Sequence, residues 1–148
     1  MNNLNHNIEV LDRLSQAFQD SLNHIQGINL MKLKTFRDWE PVDAFFDRFE
    51  RLIDNLFQAT FRSLYIIENL SEPKSLLDLS MFIQRNWIVN DVETLIELKN
   101  LRNRLAHEYI WFGISNTQNM IDEILRVSPI LFQIIQNVKT YSQKYLKN

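Results

Sequence analysis

The sequence predicts an all-α fold, a four- to five-helix up-and-down bundle, and three observations carry that expectation. With 2 Gly and 3 Pro in 148 residues, the chain lacks the turn residues that many short strands need. Apolar residues recur at steps of three and four through most of its length, the period of a helix with one buried face. The length suits a single domain, 1–148, able to bury a core without disulfides or metal staples, and no repeat, low-complexity tract or long linker divides it.

In order, Ile8, Leu11, Leu14, Phe18, Leu22 and Ile25 predict an amphipathic helix over about 6–26, stopped by Gly27. His6 and His24 lie in or near it and have no partner motif for ligation or catalysis, so both read as surface or packing residues. Residues 31–39 mix Lys32, Lys34 and Arg37 with apolar side chains and stop before Pro41. This stretch is expected to be a connector that packs Phe36 and Trp39 on the core; its competing reading is a basic lip beside an RNA groove.

A long helix follows over 42–69, with Phe45, Phe46, Phe49, Leu52, Ile53, Leu56, Phe57, Phe61, Leu64 and Tyr65 on a wide apolar face. Its opposite face, with Asp47, Arg48, Glu50, Arg51 and Asp54, reads as solvated. Ser71-Glu72-Pro73 reads as a break with Ser71 as N-cap of a third helix running to about Trp87. Asn90 and Glu93 have the spacing of a capping box for a fourth helix, expected from about Asp91 to Phe112 and ended by Gly113. Ser115 to Thr117 offer an N-cap for the last helix, which Pro129 should kink or split, and the polar tail after Lys139 should fray.

Composition narrows the chemistry. The chain has no cysteine, which excludes disulfides, thiolate metal sites and a cysteine nucleophile, and is compatible with a reducing cytosol. A net charge of −2 supplies no global basic field for nucleic acid, so an RNA site must be basic locally. No apolar run approaches the roughly 18 residues of a membrane span, and the Asn-rich start does not read as a secretory signal. The expectation is a soluble cytoplasmic protein without membrane partners.

The densest chemistry lies in the fourth helix, Leu98 to Tyr109. Leu95, Leu98, Leu101 and Leu105 form one stripe that fixes the helix's rotation. At about 100° per residue, Arg102 and Tyr109 fall at the stripe's edge, while Asn103 and His107 share the polar face and can hydrogen-bond. Arg102 and His107 differ by roughly 140° and about 7.5 Å of rise, so a shared task requires the arginine stem to wrap or the helix to distort. Read without a function, Arg102 and His107 hold the helix to its neighbour and Asn103 is a solvated helix residue.

Arg102-Asn103-Arg104-Leu105-Ala106-His107 resembles the signature of the HEPN superfamily: arginine, a polar residue, three more residues, then histidine. Tyr109, two residues on, narrows the likeness to the HepT-like toxins of HEPN–MNT toxin–antitoxin pairs, and the order of helices is similar over nearly the whole chain. The resemblance implies an endoribonuclease whose Arg102 and His107 are catalytic, working as a homodimer. It also implies that a partner nucleotidyltransferase antitoxin silences the toxin by transferring AMP to Tyr109. Tyr109 otherwise packs at the stripe's edge or stacks on RNA.

The residue chemistry fits that implication. RNA cleavage by the 2′-OH needs a base, an acid for the departing 5′-oxygen and charge stabilisation at phosphorus. Histidine transfers protons near neutral pH and an arginine fork matches phosphate oxygens. One histidine does not easily serve as both acid and base, so a twofold axis would supply the second. Asn103 can orient His107 or contact phosphate, and Lys99 and Arg104 add local charge for an RNA backbone, tRNA being the expected substrate. The scheme needs no metal and no other cofactor, and the cluster holds no adequate ligand set. The alternative is a non-enzymatic helical subunit that binds nucleotide or substrate for a partner nucleotidyltransferase.

Overall fold

The structure, a computed structural model, describes residues 3–108 and 113–146. Among them every regular element is helical. α1 spans Leu4–Ile25, a 3-10 turn covers Leu30–Lys32, α2 spans Phe36–Asp54, α3 Arg62–Asn69, α4 Leu76–Arg85, α5 Val92–Glu108 and α6 Ile114–Leu146. A π-helical stretch, Asn55–Phe61, joins α2 to α3, so the long helix expected from the sequence is one rod with a widened turn inside it. The rods thus number five, an all-α bundle as the sparse glycine and proline predicted.

The core gathers around this rod. Phe45, Phe49, Phe61, Leu52, Ile53, Leu56 and Leu64 are fully buried, and Phe18 of α1 stacks on Phe45 with ring centroids 5.5 Å apart and contacts Phe132 of α6 at 5.7 Å. Burying such rings contributes roughly 1.5–3 kcal/mol each, enough to fix which face of each helix turns inward.

Several boundaries differ from the sequence reading. The helix expected to begin at Val42 begins at Phe36, because Thr35 accepts from the Asp38 backbone N–H (3.2 Å) while the Asp38 carboxylate accepts from the Thr35 N–H (3.1 Å). That capping box outweighs Pro41, which sits inside α2. Phe36 does not pack on the core but is 96 % exposed, whereas Trp39 is half-buried against it. Ser75, not Ser71, caps α4 by accepting from the Asp78 N–H at 3.0 Å. Asp91, not Asn90, caps α5. α6 begins before Ser115–Thr117 and continues through Pro129 without a split; Ser128, just before it, donates to the Ile124 carbonyl.

Through Leu146 the tail after Lys139 stays helical. Ser142 is buried, and Tyr141 and Tyr145 both donate to the Glu68 carboxylate of α3, the latter at 2.5 Å. Burial and that bond push the Tyr145 phenol up to about 12. Arg48, read as solvated, instead turns inward to donate to the Ala17 carbonyl (3.1 Å) and Ser21 Oγ (2.7 Å) of α1. No helix among the described residues is long and apolar enough to cross a membrane.

Candidate functional site

The site is built on α5, and its start is set by Asp91, whose Oδ1 accepts from the Thr94 N–H (2.8 Å) and hydroxyl (2.7 Å). Those two bonds, side chain first, hold the Asp91 carboxyl below its ordinary range. Leu95, Leu98, Leu101 and Leu105 are all buried, as their spacing required. The stripe turns Asn100, Asn103, Arg104 and His107 outward and leaves Arg102 half-buried at its edge.

Arg102 does not wrap towards His107. Its guanidinium forks onto Asp54, the last residue of α2, with Nε–Oδ1 at 2.7 Å and Nη2–Oδ2 at 2.9 Å. The side chains are 23 % and 31 % exposed, so the pair is screened less than a surface bridge. Hydrogen bonding to Asp54 raises the guanidinium's already high pKa. Burial pushes the nearby Glu50 carboxyl up, Arg102 opposes the shift, and Asp54 and Asp47 add to it. The fork engages Nε–H and one Nη2–H, and a guanidinium carries five N–H donors, so the outer edge retains donors for another anion.

Asp54 is the residue that sequence reasoning missed, having been placed on a solvated face. A signal was present: Asp47, Glu50 and Asp54 recur at three- and four-residue steps along one edge of the long helix, and Arg102 lies on the edge of the stripe that packs against it.

Lys99 lies on the same side of α5, its ammonium 5.7 Å from the centroid of the Phe57 ring in the π stretch. Arg104 points the other way and pairs with Glu123 of α6 at 3.0 Å. On a helical projection Asn103 and His107 lie between these flanks. Both are exposed, and no hydrogen bond joins them among the described residues. The structure therefore brings Lys99 and Arg102 to one flank of an open histidine strip and Arg104 to the other. Tyr109 lies outside the described residues, as does the expected continuation of the helix to Phe112.

A groove of about 590 Å³ runs beside the Arg104 flank, with Leu77, Val92, Ile96 and Asn100 in its lining. Among the described residues no group of three His, Asp or Glu is placed to hold a metal ion. In comparison with known proteins, no family model, no curated protein and no solved structure matches the chain.

Proposed function

We propose that the protein is a metal-independent endoribonuclease toxin that cleaves RNA, with tRNA as the expected substrate. Arg102 stabilises the phosphorane and His107 transfers protons. The observation that carries this reading is an exposed histidine in the last turn of α5, flanked by an arginine that Asp54 holds in a fixed plane with donors to spare. An arginine already held in place loses little freedom on meeting a phosphate, and arginine–phosphate pairing is strong because it is charged and directional.

A homodimer completes the chemistry, since a second copy supplies the second histidine. Leu77 and Met81 of α4, 54 % and 46 % exposed, and half-buried Ile96 of α5, which lines the groove on the Arg104 flank with Leu77, offer apolar area for that pairing. AMP transfer to Tyr109 by a nucleotidyltransferase antitoxin would silence the enzyme by presenting a phosphate and a purine as a substrate mimic.

One observation favours the alternative of a non-enzymatic subunit that binds nucleotide or substrate for a partner nucleotidyltransferase: Arg102 is neutralised by Asp54 and ties α5 to α2 without any substrate. A single experiment separates the two. Purified wild type and His107→Ala are incubated with total tRNA in excess chelator and resolved on a denaturing gel. The nuclease reading expects cleavage by wild type alone. Intact tRNA in both lanes, with folded protein and Tyr109 unmodified by mass, selects the binding subunit.

A further inference from the structure

A second RNA-contacting surface is suggested by side chains the bundle leaves unused. Phe36, the first residue of α2, is 96 % exposed, and Met31, in the 3-10 turn before it, is 69 % exposed. Asn29 Oδ1 accepts from the Met31 N–H at 3.0 Å, and the Thr35–Asp38 capping box locks the start of α2. Single exposed apolar side chains are ordinary on protein surfaces. Here the aromatic ring stands among Lys32, Lys34 and Arg37, whose side chains make no ion pair or hydrogen bond among the described residues. Arg51, Arg62, Arg102, Arg104, Arg126, Lys139 and Lys144 face carboxylates in ion pairs, whereas among the described residues Arg13, Arg48, Lys74, Arg85 and Lys99 do not, so the lip is set apart by three unpaired cations gathered around one exposed ring. The carboxylate nearest in sequence, Asp38, is turned onto the Lys34 and Thr35 backbone N–H groups.

Direction places this lip relative to α5. Arg102 meets Asp54 and Lys99 meets Phe57, so α5 runs antiparallel to the α2–α3 rod. His107 therefore points towards the half of α2 that begins at Phe36, which lies roughly 20 Å farther along the axis by helical rise. Behind the lip a groove of about 480 Å³ between α1 and α2 carries His24, Arg37 and Arg48, with Asp20 and Glu40 on its walls. That groove is of mixed sign, and Arg37 belongs to its wall as well as to the lip.

We infer that Lys32, Lys34, Phe36 and Arg37 form a binding lip for single-stranded RNA, the ring stacking on a base and the three cations following the backbone. The inference rests on the nuclease reading and extends its substrate contacts away from the cleavage centre. Stacking on a pre-set aromatic is tolerant of sequence, and cations without internal partners release counterions on binding phosphate. A lipid surface fits less well, because one ring and one methionine bury far less apolar area than an amphipathic anchoring helix.

The test measures anisotropy of a short fluorescein-labelled single-stranded RNA, titrated with His107→Ala protein so that the probe stays uncut. In that background Phe36→Ala should weaken binding about tenfold or more, by the usual worth of one stacked base. The same change should matter less for a blunt duplex of that sequence. Replacing Lys32, Lys34 and Arg37 together by Ala should lower the slope of log affinity against log salt by about 2. All four side chains are solvent-exposed, and unchanged circular dichroism and melting would show that the variants fold. Binding by the parent that the lip variants keep unaltered overturns the lip and leaves the nuclease reading standing. No binding by the parent overturns the lip, and cleavage of tRNA by the wild type would then keep the nuclease reading alone. Lip-dependent binding to vesicles containing phosphatidylserine, without lip-dependent RNA binding, replaces RNA by a membrane as the partner.

Discussion

Arg102 illustrates how one carboxylate converts a surface cation into a positioned group. Asp54 accepts both arms of the fork at 2.7 and 2.9 Å, and removing it leaves a half-buried guanidinium to find water. Asp54→Ala is expected to cost about 1–2 kcal/mol in urea unfolding, the range for hydrogen bonds to charged groups after solvent screening. Arg102→Ala should cost a similar amount and the double variant scarcely more, so a double-mutant cycle should return coupling of about 1–2 kcal/mol. Additive losses would mean that the two side chains act separately. On the proposed nuclease reading, Asp54→Ala should slow tRNA cleavage about tenfold, whereas Arg102→Ala or His107→Ala should reduce it by about a hundredfold or more. Equal activity of Asp54→Ala and wild type would remove Asp54 from the site.

The elements carry their own costs. α3 ends with Leu70 in the left-handed region, φ 55° and ψ 27°, its N–H bonded to the Ile66 carbonyl at 2.9 Å and its side chain 89 % exposed. A Cβ in that conformation costs roughly 1 kcal/mol and the exposed side chain returns little packing. Leu70→Gly is therefore expected to stabilise the protein by about 0.5 kcal/mol or more, read as a higher urea midpoint at unchanged slope. A lower midpoint would show that Leu70 packs in a way its exposure does not suggest. The π stretch is a different kind of departure. It follows Asp54 directly and carries Phe57 under Lys99, so the wide turn lies alongside α5.

At the scale of the molecule, Glu68 fastens the end of α6 to α3. Burial disfavours its charge, but hydrogen bonds from Tyr141 and Tyr145 and the Lys144 ammonium outweigh it and hold the carboxyl below its ordinary 4.5. A depressed folded value stabilises the protein above pH 4.5, and that contribution is lost as pH falls through the folded value. Glu68→Gln should thus lower the melting temperature at neutral pH, with the gap to wild type closing below about pH 4.5. A gap independent of pH would mean that the carboxylate's charge plays no part. By itself the sequence determined the helical class, the buried stripes and the outward face of Asn103 and His107, because these depend on periodicity along one helix. The capping choices of Thr35 and Asp91 were local too, yet neighbouring candidates competed and only backbone geometry selected among them. The tertiary structure alone decided that Arg102 meets Asp54, that Phe36 stays in solvent and that Tyr141 and Tyr145 close on Glu68. Those outcomes depend on which helices lie side by side and at what register, and an exposed charge or ring carries no periodic mark of the partner it will meet.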